Sequence, residues 1–453
     1  MRKFNIILLI MALSVMKGWA QFSLTGQLRT RTEYRNGWGS PVAESAKPGI
    51  FTSQRTRLNF GYAGYRFKLY SSLQDVRVWG QDQSTVNRNS NETKNGLMLH
   101  EAWAEISLLD TAQTRKGTEL SLKIGRQELV YDDVRFLGNL DWLQQARRHD
   151  AALLKYAGKA WTVHAGAAFN QNGESETSTV YNGVPTGGNT PGTNGIGLMY
   201  KSMQFVYVKK KLSFGYASFL SFKDDFNKTT KDQNGVVTNV TGVNSRITSG
   251  LYLTGTSGKI NFTLSGYLQN GRNKSGQNLN AYFYTAQGNY KAGKKLSLGL
   301  GYDYTSGNKT QGAITTDHKF DPLYGTPHKF WGNMDYFYVA KGFGQTGLSD
   351  FYFKSVYKPA DKWLINFDIH QFNATTPVFM AESTTPLSKN FGQEYDLVAS
   401  YTLTKIISFE AGYSVFNTSE TLSSPSVKNI ADAQKVATWG YLTLNIKPDF
   451  MAK

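Results

Sequence analysis

The chain has 453 residues, 50 Lys and Arg against 33 Asp and Glu, a formal charge of +17 and a mean hydropathy of -0.41. It contains no cysteine, which excludes disulfides, thiolate metal sites and a lipid-modified cysteine. Aromatic residues make up 14% and glycine occurs 44 times, and no window after residue 20 has the apolar run of a transmembrane helix, so only strands are left to cross a membrane.

Residues 1–20 carry Arg2 and Lys3, an apolar stretch over 6–13, and small residues Gly18 and Ala20 around Trp19. This is the pattern of a secretory signal peptide, too short to span a bilayer, with the mature chain expected from Gln21. Without Arg2, Lys3 and Lys17 the charge is +14. Export from the cytoplasm argues against a nucleic-acid partner. The excess fits an anion-attracting lumen or phosphorylated lipid head groups at a membrane rim.

From Phe22 onward the sequence has a period of two. Phe22, Leu24, Leu28 and Tyr34 share one face, and Gln27, Arg29, Arg31, Glu33 and Arg35 the other. Leu58, Phe60 and Tyr62 then oppose Arg55, Arg57 and Asn59, and a tight turn near Gly64 leads to Phe67, Leu69 and Leu73 alternating with Lys68 and Gln74. The phase slips at Asp75, where Asp75 and Arg77 become the polar pair against Val76 and Val78, as a β-bulge would produce. Glu101, Trp103 and Glu105 next alternate with Ala102, Ala104 and Ile106.

The stretch 125–154 stands apart. Arg126, Arg135, Arg147 and Arg148 lie among Glu128, Asp132, Asp133, Asp141 and Asp150, with about 25 residues lacking a clean period between the alternating segments that flank them. Such charge needs water or partners, so the stretch is expected as a long loop or inward fold inside the wall of a barrel, solvated by a water-filled lumen. Strand-like runs resume at 161–169, 200–208, 212–222, 246–254, 260–268, 282–290, 296–304, 351–357, 363–372, 394–403, 407–416 and 437–446. With the earlier runs these make 18, an even number as in bacterial outer-membrane barrels. Short links at Gly64, 209–211, 256–258, 291–294, 359–361 and Lys405 alternate with long ones at 36–52, 80–96, 171–196, 224–244, 270–278, 307–347, 374–390 and 418–434. The expectation is one all-β domain over 21–453, a transmembrane antiparallel β-barrel with short periplasmic turns and long outer loops, ringed by outward aromatics such as Tyr282, Tyr284, Tyr302, Tyr304 and Trp363.

After the run at 299–307, the loop core at 320–337 is rich in aromatics, with Pro322, Gly325 and Pro327 at turns, and is expected to fold on itself. This loop, the segment 392–397 and above all 125–152 resemble the alginate-export family of outer-membrane porins. The most specific matches are the Gly-Arg-Gln start, Arg135-Phe136-Leu137-Gly138, Asp141-Trp142 and Asp150, and the likeness in layout covers most of the mature chain. The resemblance implies an 18-stranded barrel in which cations attract an acidic polysaccharide while carboxylates set width and release. On this chain the cations would be Arg126, Arg135, Arg147 and Arg148, joined by the lumen-phase Arg29, Arg31, Arg55, Arg57 and Arg77, and the acids Asp75, Glu101, Glu105 and Asp150. A guanidinium fork holds a carboxylate with two hydrogen bonds. The plainer role for each arginine is a salt bridge that stiffens the wall.

Catalytic readings find less support. The six histidines lack zinc-site spacing and no GxSxG occurs. Glu101 and Glu105, about 13 Å apart on one strand face, are too far apart for a glycosidase pair. No enzyme activity, metal or cofactor is expected. The expected function is passive conduction of a hydrophilic anionic solute across the outer membrane, foremost export of an alginate-like polysaccharide. The alternatives are an uptake porin for small organic acids or oligosaccharides, and a secreted β-rich carbohydrate-binding protein. The expected partners are outer-membrane lipid, the anionic solute and a periplasmic export or uptake partner. Replacing Arg126 and Arg135 together is expected to lower anion selectivity without unfolding the barrel.

Overall fold

The computed structural model describes residues 21–80, 97–110, 117–171, 173–174, 176, 179, 181, 199–231, 237–339 and 342–452. The signal peptide expected at 1–20 and most of the links expected at 80–96 and 171–196 lie outside the described residues.

Eighteen long strands run in chain order: β1 Gln21–Asn36, β2 Gly49–Gly64, β3 Phe67–Val78, β4 Met98–Ser107, β5 Glu119–Gln127, β6 His149–Ala157, β7 Trp161–Phe169, β8 Ser202–Lys211 and β9 Gly215–Lys231. They continue as β10 Val237–Ser257, β11 Ile260–Arg272, β12 Asn278–Lys291, β13 Leu296–Thr305, β14 Ser349–Tyr357, β15 Trp363–Asn373, β16 Asn390–Thr402, β17 Ile407–Thr418 and β18 Val436–Ile446. Each pairs antiparallel with its neighbour in sequence, and β18 returns to β1 with Leu28 opposite Ile446. The sheet is therefore a closed barrel of 18 strands, which leaves no strand edge for lipid to meet. Residues 448–450 fold back on β1, where the Gly26 amide donates to the Pro448 carbonyl oxygen at 2.9 Å.

The period of two decides which side chains face where. Phe22, Leu58, Leu69, Ile124, Leu154, Leu251, Leu264, Leu300 and Leu442 are exposed outward, while Arg29, Arg31, Arg55, Gln74, Gln127, Thr248, Gln269 and Asp303 are buried inward. Exposed apolar groups spread over alternate residues form the lipid-facing band of an outer-membrane barrel. Tyr284 stacks on Tyr304 at 4.9 Å near the end bearing the long connections, and Trp363 lies 4.8 Å from Tyr401 near the other, giving aromatics at both rims.

Two local expectations are corrected. The β2–β3 register runs from Ser53 opposite Val78 to Gly64 opposite Phe67 without a shift, so no bulge occurs at Asp75. The bulge lies in β4, where Ser72 faces Glu101 but Leu73 faces Leu99. The span 224–244 is mostly strand rather than loop, since β9 reaches Lys231 and β10 starts at Val237, with a register shift between Val240 and Val243. Asn227 and Lys228 suit strand faces open to water, where apolar alternation is not required.

The connections 128–148 and 306–348 turn into the barrel and join. Leu137 bridges Tyr324 in parallel, the Tyr324 amide donates to the Phe136 carbonyl at 3.0 Å and the Gly138 amide to the Tyr324 carbonyl at 3.0 Å. Phe136 packs 4.3 Å from Tyr267 and 5.4 Å from Phe283 of the wall, with Phe320 beside it. Backbone that would be intolerable in hydrocarbon is thus satisfied inside protein.

Candidate functional site: the basic seam between plug and wall

β1 and β2 place Arg29 directly opposite Arg55, both facing inward, and like charges in that relation repel. The plug relieves this with Asp141, whose carboxylate lies 2.8 Å from Arg55, 3.3 Å from Arg29 and 3.6 Å from Arg57. Neutral acceptors complete the shell. Arg29 Nε donates to Gln144 Oε1 at 2.9 Å, Arg55 Nη2 to Gln27 Oε1 at 2.8 Å and Arg57 Nε to Gln74 Oε1 at 2.6 Å. Arg31 donates to Glu33 Oε1 at 2.9 Å and to the Trp142 carbonyl at 2.7 Å, with its guanidinium 4.1 Å over the Trp142 ring. Trp142 stacks on His328 of the second plug segment at 4.1 Å. Burial pushes the Asp141 carboxyl up, but the guanidiniums, Arg55 first, hold it below the usual carboxylate range. Three guanidiniums around one carboxylate leave a locally positive seam.

The sequence-predicted residues divide by location. Arg29, Arg31, Arg55 and Arg57 meet at this seam. Glu101 and Glu105 also face inward on β4: Glu105 accepts from Ser121 at 2.6 Å and Lys155 at 2.7 Å, and Glu101 accepts the Glu128 amide at 3.2 Å. Arg135 is fully buried and bound to Asp303 and, at 3.3 Å, to Asp133, with Phe330 3.7 Å from its guanidinium. It fastens the plug to the wall rather than facing a solute. Arg147 is buried at the joint of the two segments and donates to the Gly325 carbonyl at 2.5 Å, and burial lowers its pKa to about 10.

Four of the expected lumen residues are instead on the outer face. Asp75 and Arg77 keep the phase of Leu69 and Leu73, because the expected bulge is absent, and chelate each other at 2.7 and 2.9 Å. Arg126 and Asp150 share the phase of Ile124 and Leu154 and form a two-bond pair at 2.8 and 3.0 Å. Both pairs lie near the ends of strands bearing long connections, where charge on the outer wall costs about 0–1 kcal/mol rather than the about 2–4 kcal/mol of the bilayer midplane. Arg148 follows the plug on the same rim.

Sequence reasoning missed several partners. Arg246 on β10 is buried and binds Asp224 at 2.6 and 3.0 Å and Asp321 of the plug at 2.8 Å. Its phase, shared with the inward Thr248 and opposite to the outward Ile247, was a readable signal; that Asp321 would meet it was not. His100, Glu101 and Glu128 also converge, with ligand atoms within 4.8 Å of one another, a grouping their sequence spacing does not reveal. Among the described residues they are the group that could hold a metal, but Arg57 already lies 3.1 Å from His100 Nε2. Among the cavities that flank the plug, one of about 150 Å³ is lined by Arg29, Arg31, Trp142 and Glu410, one of about 210 Å³ by Asp133, Lys329, Trp331 and Lys354, and one of about 230 Å³ by Arg246, Leu279, Phe320 and Asp321.

Residues 20–432 match the alginate export family. The chain belongs to that family. No curated protein sequence matches it. Among solved structures, it is similar to Pseudomonas aeruginosa OpdQ with a TM-score of 0.56 at 14% identity, covering 95% of this chain and 99% of that one. OccK11 (OpdR) of the same organism gives 0.55 at 11%, covering 94% and 96%, and OccK2 (OpdF) in complex with glucuronate gives 0.56 at 11%, covering 95% and 97%. At such identities the likeness is one of fold. The family and the closed barrel with its outward apolar band place the protein in the bacterial outer membrane as a channel. The alternative of a secreted soluble binding protein is thereby set aside.

Proposed function

We propose that this alginate export family member conducts an anionic saccharide passively, and that the solute passes along the basic seam, exchanging for Asp141 on Arg29, Arg55 and Arg57. The observation that carries this reading is the imbalance at the seam, three guanidiniums within 3.6 Å of one carboxylate. A uronate carboxylate repeats the chemistry of Asp141, so each exchange swaps one fork-held carboxylate for another. OccK2, a barrel of similar fold, was crystallised with glucuronate. Family membership favours an acidic polysaccharide moving outward, after signal-directed secretion of the barrel itself.

A second reading, uptake of single small acids, draws on the plug. Cavities of about 150 and 210 Å³ match one sugar unit rather than a chain, so polymer passage requires the plug to shift. Planar-bilayer recording separates the readings. Block of the ionic current by oligouronates that deepens with chain length supports polymer transit, and equal block by glucuronate alone supports uptake. Cation preference in a salt gradient would overturn both.

A further inference from the structure

The rim where β5, β6 and β7 end beside the long connections carries a second basic feature, separate from the seam. A cavity of about 380 Å³ is lined by Arg126, Arg147, Arg148, His149, Asp150 and Asn170 among others. Its charge is unbalanced, because Asp150 is the one acid against three guanidiniums and is already held by Arg126. Arg148 makes no hydrogen bond or ion pair among the described residues, although its side chain is mostly withdrawn from water. Arg147 satisfies one of its five N–H donors, on Gly325.

A buried, unpartnered polar atom points to a ligand independently of the arginines. His149 is 3% exposed; its Nδ1 lies 2.7 Å from the Tyr200 hydroxyl, and its Nε2 is buried with no partner. The Asn170 side chain lies beside the same hydroxyl, and in the tautomer in which Tyr200 donates to Nδ1 the imidazole proton sits on Nε2. Burial, then the neighbouring Arg126, lowers the pKa of Arg148, and an incoming anion would relieve that stress.

We infer that this pocket is an oxyanion site on the outer rim of the barrel, with Arg148 as its principal ligand, Arg126 and Arg147 flanking it and His149 beside it. It takes a phosphate or carboxylate, supplied either by a phosphorylated head group of the outer leaflet, which Arg126 faces, or by a soluble anion. It does not depend on the selectivity of the bore, so the two proposals can fail separately.

The test uses the full barrel in detergent, titrated calorimetrically with inorganic phosphate and with glucuronate. Saturable binding is expected, weakened at least tenfold in Arg148→Gln, with Arg148→Lys intermediate because it keeps the charge and loses the fork. Heat-modifiable gel mobility monitors folding, and since Arg148 has no hydrogen-bond or ion-pair partner among the described residues its replacement leaves the barrel intact. Vesicles with and without a phosphorylated glycolipid then identify the source. Arg148-dependent displacement of phosphate by the glycolipid assigns the site to the head group, and displacement by soluble anions alone assigns it to solute; either supports the site. Absence of saturable binding, or equal affinity in Arg148→Gln, overturns it.

Discussion

Asp141→Asn tests the seam most directly, because it removes one charge and almost no volume. Asp141 contacts Arg55, Arg29 and Arg57 at 2.8, 3.3 and 3.6 Å, and its side chain retains 43% of its exposure. The local charge rises from +2 to +3. Two unit charges 4 Å apart interact by about 1 kcal/mol in water and about 4 kcal/mol at a protein-surface dielectric. The exposure of Asp141 places the seam near the watery end, so an anion there gains about 1–2 kcal/mol, a factor of about 5–30 in relative permeability. The fold should survive, since Gln27, Gln74, Gln144 and the Trp142 carbonyl still accept from the guanidiniums. Reversal potentials across a salt gradient in planar bilayers measure the effect. It should shrink at 1 M salt, where the screening length is about 3 Å. An unchanged reversal potential at low salt, or a shift toward cations, would refute the idea that solute passes these three arginines.

Other predictions concern the plug. Replacing Arg135 by Gln strands Asp303 in the interior, so denaturant stability should fall by about 3–5 kcal/mol with little change in selectivity. This reverses the expectation that Arg126 and Arg135 act together as anion selectors. A Cβ on Gly325 would overlap the Arg135 carbonyl oxygen, so Gly325→Ala should loosen the joint between the plug segments and raise single-channel conductance; unchanged conductance would mean that the joint does not limit flow. Asp132 accepts from Tyr207 and Ser218 at 2.8 Å, yet burial outweighs these bonds and raises its pKa from 3.8 to about 6. The folded state thus keeps this proton up to about pH 6 while the unfolded chain loses it near 3.8, so the contribution is full below 3.8 and is lost as pH rises to 6. Wild type should lose up to about 3 kcal/mol relative to Asp132→Asn across that window, and parallel curves would reject the shift.

The barrel was legible because its signal is local. Leu58 against Arg57, or Leu264 against Thr263, states the direction of each side chain two residues at a time, and every strand expected from that period is present. The errors arose where direction depends on a neighbour. Asp75 and Arg77 look inward-facing only if charge is assumed to avoid the outer wall, an assumption that fails at a rim where head groups solvate it. Arg126 misled for the same reason, although Leu120, Leu122 and Ile124 before it already set the outward phase. The bulge that was expected in β3 belongs to β4, since a register shift is a property of a strand pair and not of one strand. Plug contacts such as Asp141 with Arg29, separated by 112 residues, leave no trace in any local pattern.

The two sides of the plug differ in a way that favours the seam as the proposed path. Toward β6–β12 the plug buries Phe136, Phe320, Leu323 and Tyr324 against Phe205, Phe222, Tyr267 and Phe283. Opening that side exposes apolar surface worth about 1.5–3 kcal/mol per large side chain, with nothing in a sugar acid to replace it. Toward β1 and β2 the plug is held by hydrogen bonds and ion pairs to Arg29, Arg31 and Arg55, each of which water or a solute carboxylate can take over in turn. Hydrogen bonds to a charged guanidinium contribute about 1.5–3 kcal/mol each, and an incoming carboxylate replaces them in kind, which it cannot do for the apolar contacts. On the proposed function, a solute with carboxylates would part the plug from the wall along the basic side while the aromatic side stays shut, so that the arginines that hold the plug would be the ones that admit the anion.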